Sequence, residues 1–248
     1  MASFGAHVRH LWLRAMVSLP TTRSKILSRL LRQREFGLNG LDSRLIDILD
    51  KPKGFYVEIG ANDGVAQSNT LQLELFHGWK GVLIEPIPAT FEKLQRNRNS
   101  RRNYLQQGAC VSFEYGEKFV ELLYANLVST PLALESDITD PEDHAGRGAI
   151  FLKGSDKDNA LARVQARAFT MTTVLSKANA PQYIDFLSLD VEGAELEVLK
   201  GIDFDRYSIG WILVESRNFA KMRSFLEARG YLLHSTQSHH DYLFRLEA

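Results

Sequence analysis

Residues 54–64 read G-F-Y-V-E-I-G-A-N-D-G, and this stretch decides the fold. Phe55, Tyr56, Val57 and Ile59 form a short apolar run ending in Gly60; a polar turn follows, and Gly64 closes it. That is the pattern of a buried parallel strand handing over to a loop that wraps a small ligand at the strand's carboxyl end. Glu85, in V-L-I-E-P, ends the next apolar run about 20 residues on, where such sheets place an acid against a ribose.

Outward from this turn, helix and strand patterns alternate. Leu41, Leu45, Ile48 and Leu49 predict a short amphipathic helix. Strands are expected over 55–60, 81–85 and 104–111, with crossover helices over 68–77 and 90–98. Segments 111–115 and 118–124 suggest a hairpin turning at Gly116 and Glu117. Residues 126–168 are polar and without strong periodicity, which suits either a lid facing the substrate or a plain surface insertion. A strand over 184–190, a helix over 194–200, a strand over 209–215 and a helix over 219–229 follow. Segments 231–235 and 242–246 then form a terminal antiparallel hairpin. The expected fold is α/β: a mostly parallel sheet with right-handed crossovers and helices on both faces. A hairpin after the fifth strand is not what a dinucleotide-binding half supplies. It is the ending of the seven-stranded methyltransferase sheet.

At 248 residues, 44% apolar and 24% charged, the chain has an ordinary globular composition with room for one such domain and insertions. With a formal net charge of +0, nothing global argues for a nucleic-acid partner, and none is expected. Cys110 is the single cysteine, so there is no internal disulfide and no thiolate metal cage; a reducing, cytoplasmic setting is the simplest reading. The first 40 residues stand apart as an arm, leaving residues 41–248 for the domain, with its insertion at about 111–169. No acid precedes Glu35, whereas Arg9, Arg14, Arg23, Lys25, Arg29, Arg32 and Arg34 are basic, and apolar residues recur at helical spacing. A helical extension packed on the domain, an amphipathic contact with an anionic membrane surface and an organelle-targeting leader all suit this arm.

The residues that carry chemistry gather at the strand ends. A dinucleotide turn needs G-x-G-x-x-G so that a helix amino end can approach a pyrophosphate. Here Ala61 and Asn62 follow Gly60, and Glu58 and Asp63 flank the turn. Two carboxylates would repel a pyrophosphate, but they suit an adenosyl ligand bearing a sulfonium and an α-ammonium. S-adenosylmethionine is therefore the expected cofactor, with Glu58, Gly60, Asn62, Asp63, Gly64, Glu85, Ala109 and Asp190 as candidate contacts. Glu85 would accept the ribose hydroxyls, and Gly108, Ala109 and Cys110 leave room for an adenine edge. Cys110 has no evident cationic neighbour and is expected to pack rather than react. Ser68 or Asn69 either caps the following helix, or Gln67 or Asn69 faces the ligand.

The sequence S-L-D-V-E-G-A-E, residues 188–195, brings two acids to the end of the fourth strand. Asp190 and Glu192 would share one side of an extended tip and are the candidate catalytic bases for an acceptor hydroxyl. His144, His239 and His240 are weaker candidates. Asp190 with Glu215 could instead hold Mg²⁺ through hard oxygen ligands.

Taken together, these motifs resemble the FkbM-type S-adenosylmethionine-dependent methyltransferases. The resemblance spans about residues 41–218 and rests on F-Y-V-E-I-G-A-N-D-G, the following Q-S-N-T, G-W-K-G-V-L-I-E-P and L-D-V-E-G-A-E-L-E-V-L-K-G. It implies a Rossmann-like methyltransferase domain, cofactor contacts around Gly60 and Glu85, and O-methylation of a sugar, glycan or secondary metabolite. A noncatalytic binding or membrane-tethered scaffold on the same fold is the alternative. The acceptor and the oligomeric state are not legible in the motifs.

Overall fold

A computed structural model of the protein describes residues 35–98, 100–150, 152 and 158–247. The basic helices expected before Glu35 lie outside the described residues. No helix among the described residues is long and apolar enough to cross a membrane.

Eleven strands are described: β1 (Phe55–Ile59), β2 (Lys80–Glu85), β3 (Tyr104–Gln107), β4 (Ala109–Val111), β5 (Phe119–Leu123), β6 (Thr130–Pro131), β7 (Arg163–Thr170), β8 (Tyr183–Leu189), β9 (Ser208–Glu215), β10 (Tyr231–Thr236) and β11 (Asp241–Leu246). The α-helices are α1 (Leu41–Leu49), α2 (Leu71–His77), α3 (Pro88–Asn97), α4 (Pro141–Ala149), α5 (Met171–Lys177), α6 (Glu195–Leu199) and α7 (Phe219–Glu227). The large sheet has seven strands in the order β10-β11-β9-β8-β1-β2-β3. Only β11 runs against its neighbours, as the terminal hairpin required.

Period-two alternation sorts the strand side chains between two cores. Val57, Ile59, Val82, Ile84, Leu187, Leu189, Ile212 and Val214 pack with Met171, Val174 and Leu175 of α5, Val198 and Leu199 of α6, and Met222 and Leu226 of α7. Tyr56, Leu83, Phe186 and Leu213 face the opposite way, onto Leu41, Leu45 and Leu49 of α1, Leu73 of α2, and Phe91 and Leu94 of α3. Both faces are thus covered, which is why the central strands read as continuous apolar runs. Pro88 opens α3 at a position where no amide is needed, and Gly78, at φ +74°, stops α2.

Three expectations change. The strand predicted over 104–111 breaks at Gly108, whose φ of +149° suits glycine, and a Cβ there would lie 2.6 Å from the Arg167 carbonyl. Its second part, β4, joins a separate sheet ordered β4-β7-β5-β6. The hairpin predicted over 111–124 does not form: β5 pairs antiparallel with β7 instead. Ser112 is drawn away to α6, where Glu197 Oε1 accepts from its hydroxyl at 2.6 Å and its amide at 3.2 Å. Meanwhile Val120 and Leu122 find an apolar partner face in Val164, Ala166 and Ala168. The domain also begins earlier than Leu41, because Phe36 is buried against Leu71, Leu75 and Phe76.

Candidate active site

Strand register builds the site. Ile59 pairs with Ile84 and with Leu189, and Leu189 pairs with Val214. The next residues, Gly60, Glu85, Asp190 and Glu215, therefore reach the carboxyl edge of the sheet in one row. A cavity of about 550 Å³ opens there, within the range of ~300–1,000 Å³ usual for small-molecule sites.

Gly60 forms the floor, at φ +81°, and a Cβ on it would lie 1.8 Å from the Asp190 carbonyl oxygen, so no other residue fits. Asn62, itself left-handed at φ +47°, donates its amide to Glu85 Oε2 at 2.9 Å. Ile87 donates its amide to Glu85 Oε1, also at 2.9 Å. Glu85 thus holds the two ligand loops together while facing the cavity. Burial pushes its carboxyl up to about 7, against the pull of those two amides and with a smaller push from Asp63.

A folded-state value raised above the unfolded one means that the protonated form favours folding. This contribution is complete below the unfolded value of 4.5 and is lost as pH rises through about 7. Ligand-free wild type is therefore expected to lose roughly 2–3 kcal/mol more stability than Glu85→Gln between about pH 5 and about pH 8. Urea titrations of both proteins check this, and equal pH slopes would contradict it.

The remaining turn residues make bonds or contacts within the protein. Asp63 does not line the cavity; its Oδ1 accepts from the amides of Val65 and Ala66 at 2.9 and 2.8 Å. Gly64 also lies outside the wall, and a Cβ on it would meet Leu94 and Arg98 at 2.6 Å. Glu58 touches the cavity, but its carboxylate accepts from Ser68 Oγ, the Asn69 amide, Thr70 Oγ1 and Arg98. Nothing local in the sequence singles out Arg98, a fully buried side chain at the end of α3, because its partners lie far along the chain. Ser68 Oγ accepts from the amides of Thr70 and Leu71, just ahead of and at the first residue of α2, whose N-cap position is Thr70. Asn69 faces the cavity; it donates Nδ2 to Ser188 Oγ at 3.1 Å, and its Oδ1 is buried with no partner. Gly108, Ala109 and Cys110 form another part of the wall. Burial pushes the Cys110 thiol up to about 12, which leaves it inert.

At the opposite end lie the acids. Asp190 and Glu192 both line the cavity, though not by strand alternation: β8 stops at Leu189, and Glu192 has φ +56°. Asp190 is open to the cavity and enclosed by protein around it. Although its side chain is exposed into the cavity, the protein packed behind it, followed by the charges of Glu215 and Glu192, holds its carboxyl well above the ordinary range. Glu192 is raised too, chiefly by burial, with His144 opposing. Its Oε2 lies 2.6 Å from His144 Nε2 and 3.5 Å from Arg217 Nη2. Glu195 Oε1 accepts from the Val191 and Gly193 amides at 2.9 and 3.2 Å, and burial pushes it up to about 8. His239 and His240 sit in the terminal hairpin turn and do not line the cavity.

Asp190, Glu192 and Glu215 offer oxygens within 4.8 Å of one another, close enough to ligate a cation. Arg217 already stands among them, 3.2 Å from Glu215 and 3.5 Å from Glu192. Mg²⁺ takes about six oxygens in strict octahedral geometry, and here it would have to displace a guanidinium. The donor set fits Arg217 rather than Mg²⁺.

The insertion closes the cavity. Leu122, Ala125, Leu127, Val128, Pro131, Leu134 and Gly148 give it an apolar wall facing the polar turns. Asn126 reaches across to accept from Asn62 Nδ2 at 3.3 Å.

Residues 58–233 match the family described as the methyltransferase FkbM domain. A curated relative, Methyltransferase 1 of Beauveria bassiana (strain ARSEF 2860), is 25% identical over 191 residues, covering 71% of this chain and 72% of that protein. Among solved structures, the METTL16 MTase domain matches with a TM-score of 0.43 at 12% identity, covering 83% of this chain and 65% of that one. Methyltransferase FkbM from Methylobacillus flagellatus KT matches with a TM-score of 0.44 at 14% identity, covering 78% of this chain and 43% of that one. The chain thus spans under two thirds of either solved protein. The family match takes in Gly60, Glu85, Asp190 and Glu215, and the chain belongs to the FkbM family of S-adenosylmethionine-dependent methyltransferases.

Proposed function

We propose that the protein O-methylates a hydroxyl of a small acceptor, and that the acceptor is a secondary metabolite with an apolar body rather than a free sugar. The observation that carries the reading is the row at the carboxyl edge: a carboxylate suited to a ribose, Glu85, and a pair of carboxylates, Asp190 and Glu192, share one cavity.

The cavity suits S-adenosylmethionine on its own chemistry. Gly60 leaves a cradle that any Cβ would fill, Asn69 Oδ1 is a buried acceptor without a partner, and four carboxylates border a site for a cation. Glu85 would hold the ribose hydroxyls, Asn69 the polar tail, and Gly108, Ala109 and Cys110 the adenine. The cofactor supplies an electrophilic methyl group on a sulfonium. The protein's own task is to align the acceptor oxygen and to take its proton, with positioning as the larger effect. Asp190 is the first choice for the proton. Its raised affinity makes it a stronger base than an ordinary carboxylate, and the positive charge of a bound cofactor would favour its ionised form.

The insertion's wall supports the choice of acceptor. A free sugar would bury several hydroxyls, each costing energy unless hydrogen-bonded. Among the described residues, that wall offers only Asn126 and Ser129 as polar side chains, and the Ser129 hydroxyl already donates to the Asn126 carbonyl at 2.7 Å.

Calorimetry with S-adenosylmethionine, then release of S-adenosylhomocysteine against a panel of phenols, aliphatic alcohols and methyl glycosides, tests the reading. The expected results are cofactor binding, an O-methyl product favouring the apolar acceptors, and no change on adding EDTA. Absence of binding at millimolar cofactor would support the noncatalytic scaffold instead.

A further inference from the structure

A side chain of the insertion, His144, reaches the rim carboxylate Glu192 directly. Asp140 starts α4 by accepting the Asp143 amide at 2.9 Å, and His144 follows within the first turn. His144 Nε2 reaches Glu192 Oε2 at 2.6 Å, with only 21% of the imidazole and 10% of the carboxylate side chain exposed. Short, partly enclosed contacts of this kind are the strong ones.

Glu192 needs such a partner. Its backbone stands at φ +56°, a region that a glutamate does not favour, so its placement is imposed from outside. Two donors from different elements converge on Oε2: His144 from the insertion and Arg217 from the loop after β9. That loop is fastened to the insertion a second time. Asp137 Oδ2 accepts from Ser216 Oγ at 3.0 Å and from the amides of Arg217 and Asn218 at 2.6 and 3.1 Å.

The helix is also tied to the cavity wall. Ala145, beside His144, is fully buried against Leu123 and Ala125. Gly148 lines the cavity and packs so tightly on Val128 that a Cβ would lie 1.5 Å from its methyl carbon. A shift of α4 would therefore move the apolar wall and the rim carboxylate together.

We propose that His144 is the positioning residue that sets Glu192 at the reaction rim, so that the acceptor half of the cavity is complete only while α4 is docked. The inference rests on the reading of this cavity as a methyl-transfer site. His144 itself does not line the cavity, so its action is through Glu192.

Two measurements on the full chain test this without a known acceptor. In the first, hydrogen exchange is followed over 141–149 and 190–193 in wild type, His144→Ala, His144→Gln and Glu192→Gln. Loss of one charge-assisted hydrogen bond is expected to raise exchange about tenfold in both segments of His144→Ala. His144→Gln, which keeps a donor near the Nε2 position, restores most of the protection. In the second, ¹⁵N spectra of the His144 imidazole are compared between wild type and Glu192→Gln, where the ring resonances are expected to shift. Unchanged exchange in His144→Ala, faster exchange confined to 141–149, or unmoved ring resonances would overturn the proposal. The spectra decide the matter even if His144→Ala does not fold. Calorimetry with S-adenosylmethionine on the wild type separates the two levels: no binding there removes the methyl-transfer reading, whereas binding with a silent imidazole removes only the role of His144.

Discussion

Replacing Arg98 by methionine is expected to cost about 3–5 kcal/mol, the penalty for stranding a buried charge partner, against a total stability of about 5–15 kcal/mol. The guanidinium is fully enclosed and donates to Tyr56 Oη at 2.7 Å, Glu74 Oε2 at 2.8 Å, Thr70 Oγ1 at 3.0 Å, the Gly64 carbonyl at 3.1 Å and Ser68 Oγ at 3.2 Å. Glu58 completes the shell at 3.4 Å. Methionine matches the length of the side chain but takes this cation away from Glu74, which is fully buried, and from Glu58, which is buried except where it touches the cavity. Lysine would not rescue it, because one ammonium cannot span acceptors arranged for a planar fork. The melting temperature is expected to fall by about 10 °C or more. Adding Glu74→Gln should recover part of the loss, since it removes one of the stranded charges. The effect reaches the site as well: Ser68 and Asn69, which border the cavity, are held by Glu58 and Arg98. A variant melting within a degree or two of wild type would show that this network holds nothing.

That network marks the boundary of what the chain reveals on reading. The strands of the large sheet and the terminal hairpin follow from local signals: apolar runs, glycine stops, and prolines that forbid continuation. The acids at the strand ends were legible for the same reason, since a strand's last residue is set by its own sequence. Roles that depend on distant partners were not. Glu58, Asp63 and Gly64 sit in the most informative motif of the chain, yet two of them serve Arg98 and Leu94, which α3 delivers from elsewhere. β7 is a different case. Val164, Ala166 and Ala168 do alternate with Arg163, Gln165 and Arg167, but the polar face dominated the composition and hid the apolar one. Glu192 and His144 were each visible as candidates. Their pairing depended on the fold of the insertion, where no period was strong enough to place a helix.

Asp190→Asn is expected to lower methyl transfer by ~10²–10⁴-fold, the usual worth of a positioned base, while S-adenosylmethionine still binds. The amide keeps the shape of the side chain at the rim and removes only its capacity to take a proton. Protein stability should move the other way. Glu215, Glu192 and Glu195 all oppose a negative charge at Asp190, so the ionised carboxylate is unfavourable in the folded protein. Its stabilising contribution is present while the group is protonated and lost as pH rises through the raised folded-state value. The neutral amide escapes that loss, so Asp190→Asn should melt above wild type at alkaline pH and close to it at acidic pH. A residue that serves only the scaffold would show the reverse pattern, with stability and turnover falling together. Opposed changes are the signature of a group kept for its chemistry against the interest of the fold. Thermal melts at two pH values, with product formation measured on the same protein preparation, decide between these outcomes. Full retained turnover in Asp190→Asn would pass the proton to Glu192 and leave Asp190 as a wall of the cofactor site.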